Sequence, residues 1–244
     1  MPAIHHPLQA WHTALLDGLN RRFEETSAQE IVAWALETLG DGLSISTAFG
    51  ASGMALIHMA LSLDPYVDIF YIDTGYFFPE TQALIHRAQA FFGRNFRRVS
   101  PPLSVEDQAR HYGPDLHQRD PDLCCHLRKV VPLGRALAGR TGWMAALRRD
   151  QAPTRAHTPV LRWDPRHNLV KIAPLARWTE ADVWRYIRTH GLPYNELHDR
   201  GYPSVGCWPC TRAVQPGEDL RAGRWPGRAK TECGLHRGPE ESVP

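Results

Sequence analysis

The sequence predicts an α/β fold in which a parallel sheet is flanked by helices and followed by a loop-rich C-terminal tail. Apolar strand-like segments alternate with helical patterns from residue 43 to about residue 190, as in parallel sheets covered by helices. This periodicity fades beyond Tyr194, where Gly, Pro and Arg become frequent. The 244 residues are 43% hydrophobic, enough for one substantial core. We therefore divide the chain into an N-terminal helical segment (1–42), an α/β domain (43–200) and a tail (201–244).

Residues 8–39 predict two helices, because apolar side chains recur there at helical spacing. Ser27 precedes Glu30 by three residues, which is the pattern of a capping box at the start of the second helix. Gly40 and Gly42 predict its end. The two apolar stripes are formed by Leu15, Leu16, Leu19 and Phe23, and by Ile31, Trp34, Ala35 and Leu39.

Five short segments are predicted as strands, and the first of them, LSISTAF, has the pattern of a buried strand that runs into a turn. Helices are predicted between the first three of them, at Ser52–Leu63 and at Pro79–Phe92, where Pro stands at the first helical position. The predicted strands are Leu43–Phe49, Val67–Ile72, Asn95–Val99, Gly142–Leu147 and Leu169–Ile172.

Composition excludes several classes of function. The formal net charge is only +2 because Lys and Arg are nearly balanced by Asp and Glu, which argues against nucleic-acid binding. No apolar run approaches the roughly 18 residues that a membrane span needs. The N-terminus, MPAIHHPLQAWH, lacks the charged and apolar regions of a signal peptide. We therefore expect a cytoplasmic protein, whose thiols stay reduced.

Five cysteines suggest a four-ligand site together with one separate reactive thiol. Cys207 and Cys210 form a CxxC pair, and Cys124 and Cys125 are adjacent. Four thiolates suit either Zn²⁺ or an iron–sulfur cluster, and the spacing alone does not choose between them. The alternative for the adjacent pair is two small buried hydrophobic residues on a helix. Cys233 is the remaining thiol.

Two loops that follow predicted strands are candidates for nucleotide binding. The stretch SISTAFGASG at 44–53 leads from a strand into a helix, and backbone N–H groups at a helix N-terminus bind anions. It contains no Lys and lacks the Walker pattern, which suggests nucleotide positioning more than ATP cleavage. The alternative is an ordinary strand–turn–helix junction. The candidate residues at these two strand ends are Ser46, Thr47 and Gly50, and Asp73, Thr74 and Gly75.

Several blocks of sequence, in the same order along the chain, resemble one family. That family is the assimilatory adenylyl-sulfate and phosphoadenylyl-sulfate reductases, and the resemblance implies a Rossmann-like fold of the PP-loop adenine-nucleotide hydrolase type. The similar blocks are STAFG (46–50), YIDTGYFFPET (71–81), CCHLRKVVPL (124–133), LRRDQAPTRA (147–156), KIAPLARWTEADVW (171–184), GLPYNELHDRGYPSVGCWPCTRAV (191–214), PGEDLRAGRW (216–225) and ECGLH (232–236).

The resemblance also implies a cofactor and a substrate. Family members that carry both the CC and the CxxC pair hold a 4Fe–4S cluster and usually reduce adenylyl sulfate, whereas members without them use the 3′-phosphorylated substrate. The resemblance therefore implies a cluster ligated by Cys124, Cys125, Cys207 and Cys210.

The resemblance makes Cys233 the nucleophile. Its thiolate would attack the sulfur of adenylyl sulfate, expel AMP and form a cysteine S-sulfonate, from which thioredoxin or a glutaredoxin-like reductant would release sulfite. The reaction brings an anion against an anion, so the site must supply positive charge. Each candidate for this role could instead be a solvent-facing charge, and His236 could be a bystander. The candidates are Lys129, Arg148, Arg155, Arg221, Arg224 and His236.

Three other functions stay open from the sequence. The first is reduction of the 3′-phosphorylated substrate. The second is a PP-loop ATP pyrophosphatase, such as a tRNA-thiolating enzyme with a four-cysteine metal site, although this would need an SGGKDS-like loop in place of STAFGAS. The third is a non-catalytic metal module that binds a partner. The sequence does not set the oligomeric state, and a homo-oligomer remains open.

Overall fold

The computed structural model describes residues 13–236, so residues 8–12 of the first predicted helix and residues 237–244 of the tail lie outside it. The helices are α1 (Thr13–Phe23), α2 (Ala28–Leu39), α3 (Ala51–Leu63), α4 (Pro79–Phe92), α5 (Val105–Tyr112), α6 (Leu116–Arg119), α7 (Pro121–Cys125), α8 (Val131–Leu137) and α9 (Glu180–Thr189). The strands are β1 (Leu43–Thr47), β2 (Asp68–Ile72), β3 (Arg97–Val99), β4 (Gly142–Ala145), β5 (Leu161–Asp164) and β6 (Leu169–Ile172).

The six strands form one sheet in the order β3-β2-β1-β4-β6-β5. All neighbours are parallel except β5, which runs antiparallel to β6 at the edge of the sheet. The predicted parallel sheet flanked by helices is therefore confirmed, with one antiparallel strand added. β5 is absent from the predicted strands because its sequence, LRWD, is short and half polar.

The core lies around β1, whose position between β2 and β4 gives it neighbours on both sides. Ile45 of β1 and Trp143 of β4 are fully buried, and the Trp143 Nε1–H donates a 2.8 Å hydrogen bond to Ser46 Oγ. α3 packs against α2 and α9, while α8 packs against β2 and β3. The sheet is thus packed between helices, and the loops that follow the strands lie at the ends of the sheet.

The predicted helix boundaries have identifiable local causes. Ser27 and Glu30 form the predicted capping box at the start of α2, with the Glu30 N–H donating to Ser27 Oγ at 3.2 Å. Gly93 ends α4 in a left-handed conformation. The division at residues 42 and 200 stays a prediction, and Phe23 of the first segment joins the same core as the sheet.

Strands β1 and β4 end two residues earlier than the sequence predicts. Residues 48–49 and 146–147 instead belong to loops at the carboxyl ends of the strands, which is where ligands bind in sheets of this kind. Among the described residues, no helix combines the length and the apolar character that crossing a bilayer requires.

Candidate functional site

A cavity of about 290 Å³ lies at the carboxyl ends of β1, β2 and β4 and is closed on one side by the C-terminal tail. Residues predicted from distant parts of the sequence meet in its walls. Asp73 and Gly75 do not line it. The predicted residues that do are Ser46, Thr47, Gly50, Thr74, Lys129, Arg148, Arg155, Cys207, Arg221, Arg224, Cys233 and His236.

The loop between β1 and α3 is shaped by a buried aromatic residue. Phe49 has a positive φ of 55° and is 1% exposed, with its ring 5.3 Å from that of Tyr71. The Phe49 N–H donates a 2.9 Å hydrogen bond to Thr47 Oγ1. Gly50, the N-cap of α3, has no side chain to satisfy the first N–H groups of the helix. These groups therefore border the cavity as the predicted anion cradle.

Arg148 reinforces this cradle. Its side chain is only 7% exposed and forms an ion pair with Asp150 at 2.8 Å, while its Nη1 donates to Ser52 Oγ in the first turn of α3. The solvent-facing alternative considered for Arg148 is therefore wrong. The guanidinium adds positive charge to the same end of the helix that carries the positive dipole.

The three predicted residues after β2 have different roles: one lines the cavity, and the other two form a turn. Thr74 lines the cavity, and its Oγ1 lies 3.4 Å from Cys207 Sγ. Asp73 accepts a 2.9 Å hydrogen bond from the Gly75 N–H and pairs with Arg98 at 2.6 Å. Asp73 therefore caps the loop, which is the structural role that the sequence left open for it. Gly75 has a positive φ of 73° and adjoins a neighbouring guanidinium.

The four paired cysteines come together, although they arise from two distant segments. Cys124 and Cys125 end the short helix α7, and Cys207 and Cys210 bracket a single 3₁₀ turn. All four line one small cavity beside the substrate-sized one. Within residues 13–236, no three His, Cys, Asp or Glu side chains are arranged to hold a single metal ion.

Burial governs the protonation of these thiols. It raises the pKa of Cys124 to about 11, with further raising by the nearby Cys207 and Cys210. It also raises the pKa of Cys125 to about 12, against the opposing effect of Lys129. Without an electrophilic partner these thiols stay protonated at neutral pH. Only binding to a metal would stabilise them as thiolates.

Lys129 lies between the cysteine cluster and the substrate-sized cavity and lines both. Residues 126–130 form a π-helical turn after α7, so Lys129 remains on the cysteine side of the chain. Burial opposes its charge, but Cys207, Cys233 and Cys125, once ionised to thiolates, outweigh burial and raise the pKa of Lys129. Its ammonium group is therefore a permanent positive charge at this boundary.

Cys233 is half-buried in the wall of the cavity. Burial raises the pKa of its thiol, but Lys129, the Leu235 backbone N–H and Arg224 together lower it below its ordinary value. The position next to Lys129 therefore favours the thiolate form, which is the nucleophilic form of cysteine.

Arg221 and Arg224 converge, as their spacing in the sequence suggests. Their guanidinium groups donate to the same Ser204 Oγ, at 3.5 Å and 3.2 Å respectively. Arg224 Nε is buried and finds no hydrogen-bond partner among the described residues. A buried donor of this kind is ready to bind an anion in the cavity.

Glu232, which the sequence reasoning did not single out, binds two of the predicted arginines. Its carboxylate accepts two 2.8 Å hydrogen bonds from Arg155 and one of 3.3 Å from Arg221, and its side chain is 12% exposed. Burial raises its pKa, but Arg155 and then Arg221 outweigh burial and lower it. The one available signal was an acid directly before Cys233. This ion pair anchors the tail beside the nucleophile candidate.

His236, three residues after Cys233, also lines the cavity. Its ring stacks on Trp143 with centroids 5.4 Å apart, and its Nδ1 lies 2.9 Å from the Nζ of Lys171. Burial first, and then the nearby Lys171, hold the pKa of His236 well below its usual range. A neutral imidazole cannot lower the pKa of Cys233 by its charge, so His236 can act only through its hydrogen bonds.

Comparison with known proteins agrees with this geometry. Residues 42–213 match the family model of the phosphoadenosine phosphosulfate reductase domain. The adenosine 5′-phosphosulfate reductase of Streptomyces coelicolor is 48% identical over 91% of this chain and 94% of its own length. The phosphoadenosine 5′-phosphosulfate reductase of Gloeobacter violaceus is 47% identical over 91% of this chain and 93% of its own.

Solved structures agree as well. A phosphoadenylyl-sulfate reductase from Candida auris, in a phosphate complex, superposes with a TM-score of 0.73 and 33% identity, covering 84% of this chain and 98% of that one. The FMN adenylyltransferase of Candida glabrata, at 15% identity and a TM-score of 0.53, covers 79% of this chain and 63% of its own, and it shares the fold alone. This chain belongs to the phosphoadenosine phosphosulfate reductase family.

Proposed function

We propose that this chain reduces adenylyl sulfate to sulfite and AMP during sulfate assimilation, with thioredoxin or a similar dithiol protein as the electron donor, in the cytoplasm. One observation carries the proposal. Cys233, whose pKa is lowered, meets Lys129 and Arg224 in a cavity that ends at the N-terminus of α3. A nucleophile, positive charge and an anion cradle are the three elements that the reaction needs.

The substrate is an anion at both its phosphate and its sulfate groups. We assign the phosphate to the N-terminus of α3 and to Arg148, where N–H groups and a guanidinium are available. We assign the sulfuryl group to Lys129 and Arg224, because both lie beside Cys233. The loop between β1 and α3 contains no Lys, which argues against ATP pyrophosphatase chemistry.

The reaction proceeds in three steps, in each of which a thiolate attacks a sulfur atom and displaces a leaving group. The Cys233 thiolate attacks the sulfur of adenylyl sulfate, an S–S bond forms, and the S–O bond breaks with its electron pair leaving on AMP. A thiolate of the donor then attacks Cys233 Sγ and releases sulfite. A second donor thiol resolves the mixed disulfide and restores the Cys233 thiolate. The donor dithiol thereby supplies both electrons.

The cysteine pairs fit an iron–sulfur cluster. Four thiols from two distant segments line one small cavity. Thiolates are the ligands that such clusters require. We propose that Cys124, Cys125, Cys207 and Cys210 hold a 4Fe–4S cluster, which when bound supplies negative charge and structural support next to Lys129.

The test is a single turnover without donor. Reduced enzyme incubated with adenylyl sulfate should accumulate about one sulfonate per chain, on Cys233, with an equal amount of AMP. The Cys233→Ser variant should retain iron and sulfide and bind AMP, but form no adduct, because a serine hydroxyl is a far weaker nucleophile. A sulfonate on another cysteine, or turnover by the variant, would refute this role.

Some relatives are named for adenylyl sulfate and others for its 3′-phosphorylated form. The substrate preference of this chain is therefore a separate question. We propose a preference for adenylyl sulfate over its 3′-phosphorylated form, in line with the Streptomyces coelicolor relative. The Gloeobacter violaceus and Candida auris proteins carry the name of the phosphorylated substrate. Comparison of kcat/KM for the two substrates decides this, and a higher value for the phosphorylated one would contradict the proposal.

A further inference from the structure

His117 is a buried polar side chain that the reaction described above does not use. It lies on the short helix α6 and is 8% exposed. Its Nδ1 is buried and has no hydrogen-bond partner within residues 13–236. Leaving such a group unsatisfied is energetically unfavourable, so the position needs a hydrogen-bond partner that the described protein atoms do not provide.

The surroundings of His117 identify the kind of acceptor. The side chain lines the small cavity shared by the four paired cysteines. Its polar neighbours are Tyr76, whose ring centroid lies 5.6 Å away, and the charged groups of Asp115 and Arg228, which do not line this cavity. Arg128, which also lines the cavity, is a donor and is bound to the Thr74 carbonyl and to Gln108 Oε1. Apart from the Tyr76 hydroxyl, the side-chain acceptors that line this cavity are the cysteine sulfur atoms.

Sulfur acceptors determine which ring nitrogen of His117 carries the hydrogen. Thiolates and sulfides accept hydrogen bonds and donate none, so they stabilise the form of the imidazole that carries a hydrogen on Nδ1. Both the neutral Nδ1–H tautomer and the imidazolium have that hydrogen. The orientation of the bond therefore does not depend on the charge of His117.

We propose that His117 donates a hydrogen bond from Nδ1 to the sulfur atoms of the cluster held by the four cysteines, and that this bond raises the reduction potential of the cluster. The inference rests on the proposed cofactor. Hydrogen bonds to the sulfurs are among the features that set the potential of iron–sulfur clusters, because they stabilise the more negative, reduced state. His117 is thus a positioning and tuning residue and not a ligand.

The experiment uses the full chain prepared without oxygen. Iron and acid-labile sulfide are measured per chain, and the midpoint potential is measured by redox titration with electron paramagnetic resonance detection. His117→Phe should hold as much iron and sulfide as the wild type but show a lower potential. His117→Asn, whose amide nitrogen replaces Nδ1 at the same distance from the backbone, should restore most of the difference. His126→Phe is the matched control, because His126 is exposed and adjoins Cys125, and its potential should equal that of the wild type.

A second measurement does not depend on how the variants fold. In wild-type protein with isotopically labelled histidine, the reduced cluster should show a hyperfine coupling to a histidine nitrogen. A loaded His117→Phe protein with the wild-type potential, or a wild-type cluster without this coupling, would overturn the assignment of His117 alone. Wild-type protein without iron and sulfide would overturn the cofactor as well.

Discussion

Replacing Glu232 by Gln is expected to release the tail segment that carries Cys233. The carboxylate is bound by Arg155 through two 2.8 Å hydrogen bonds and by Arg221 at 3.3 Å. Removing one partner of a buried ion pair costs about 3–5 kcal/mol. Because the Gln amide keeps one acceptor oxygen and the pair is 12–13% exposed, we expect about 2 kcal/mol. That corresponds to a roughly 30-fold smaller ratio of docked to undocked tail.

Hydrogen exchange followed by mass spectrometry measures this ratio. Backbone amides in a docked segment exchange through its opening, so exchange in a peptide covering residues 228–236 should be roughly 30-fold faster in Glu232→Gln. Glu218→Gln is the matched control, because Glu218 forms a surface ion pair with Arg212, and such pairs contribute little to stability. Exchange within about twofold of the wild type in Glu232→Gln would refute the reasoning.

Two further substitutions test the positive charge around Cys233. Gly206→Ala would place a methyl group against the guanidinium of Arg224, so kcat/KM should fall roughly tenfold to a hundredfold without loss of folding. Gly134→Ala, which meets no neighbouring atom, should leave kcat/KM unchanged, and an equal fall in both variants would argue against a role for Arg224. Lys129→Met should keep its iron but slow sulfonate formation in a single turnover by about 10²-fold or more, and a wild-type rate would exclude Lys129 from the site.

A strand of the sheet could be predicted where its own sequence shows a buried, apolar pattern. Leu169–Ile172 is apolar except for Lys171 and is buried along its whole length, so its pattern matches its position inside the sheet. Leu161–Asp164 gives no such signal, because it is an edge strand of only four residues, two of which are charged. Its place depends on antiparallel pairing with Leu169–Ile172. Pairing of this kind is decided by the tertiary fold and not by local composition.

The site could be predicted to the extent that topology places loops at one edge of the sheet. Thr47 and Thr74 follow neighbouring parallel strands, so their meeting in one cavity follows from the order of strands. The importance of Glu232 and His117 could not be predicted in this way. Glu232 matters because Arg155, which is distant in sequence, lies next to it. His117 matters because burial leaves its Nδ1 without a partner among the described residues.

The split origin of the four cysteines has a consequence for the order of biosynthesis. The sheet is complete once residue 172 has been synthesised, whereas Cys207 and Cys210 emerge from the ribosome much later, and Cys233 later still. A cluster delivered to the nascent chain would find only Cys124 and Cys125. Assembly of the proposed cluster would therefore be a late step that follows synthesis of the whole sheet, and the proposed nucleophile Cys233 leaves the ribosome only after the four proposed ligands.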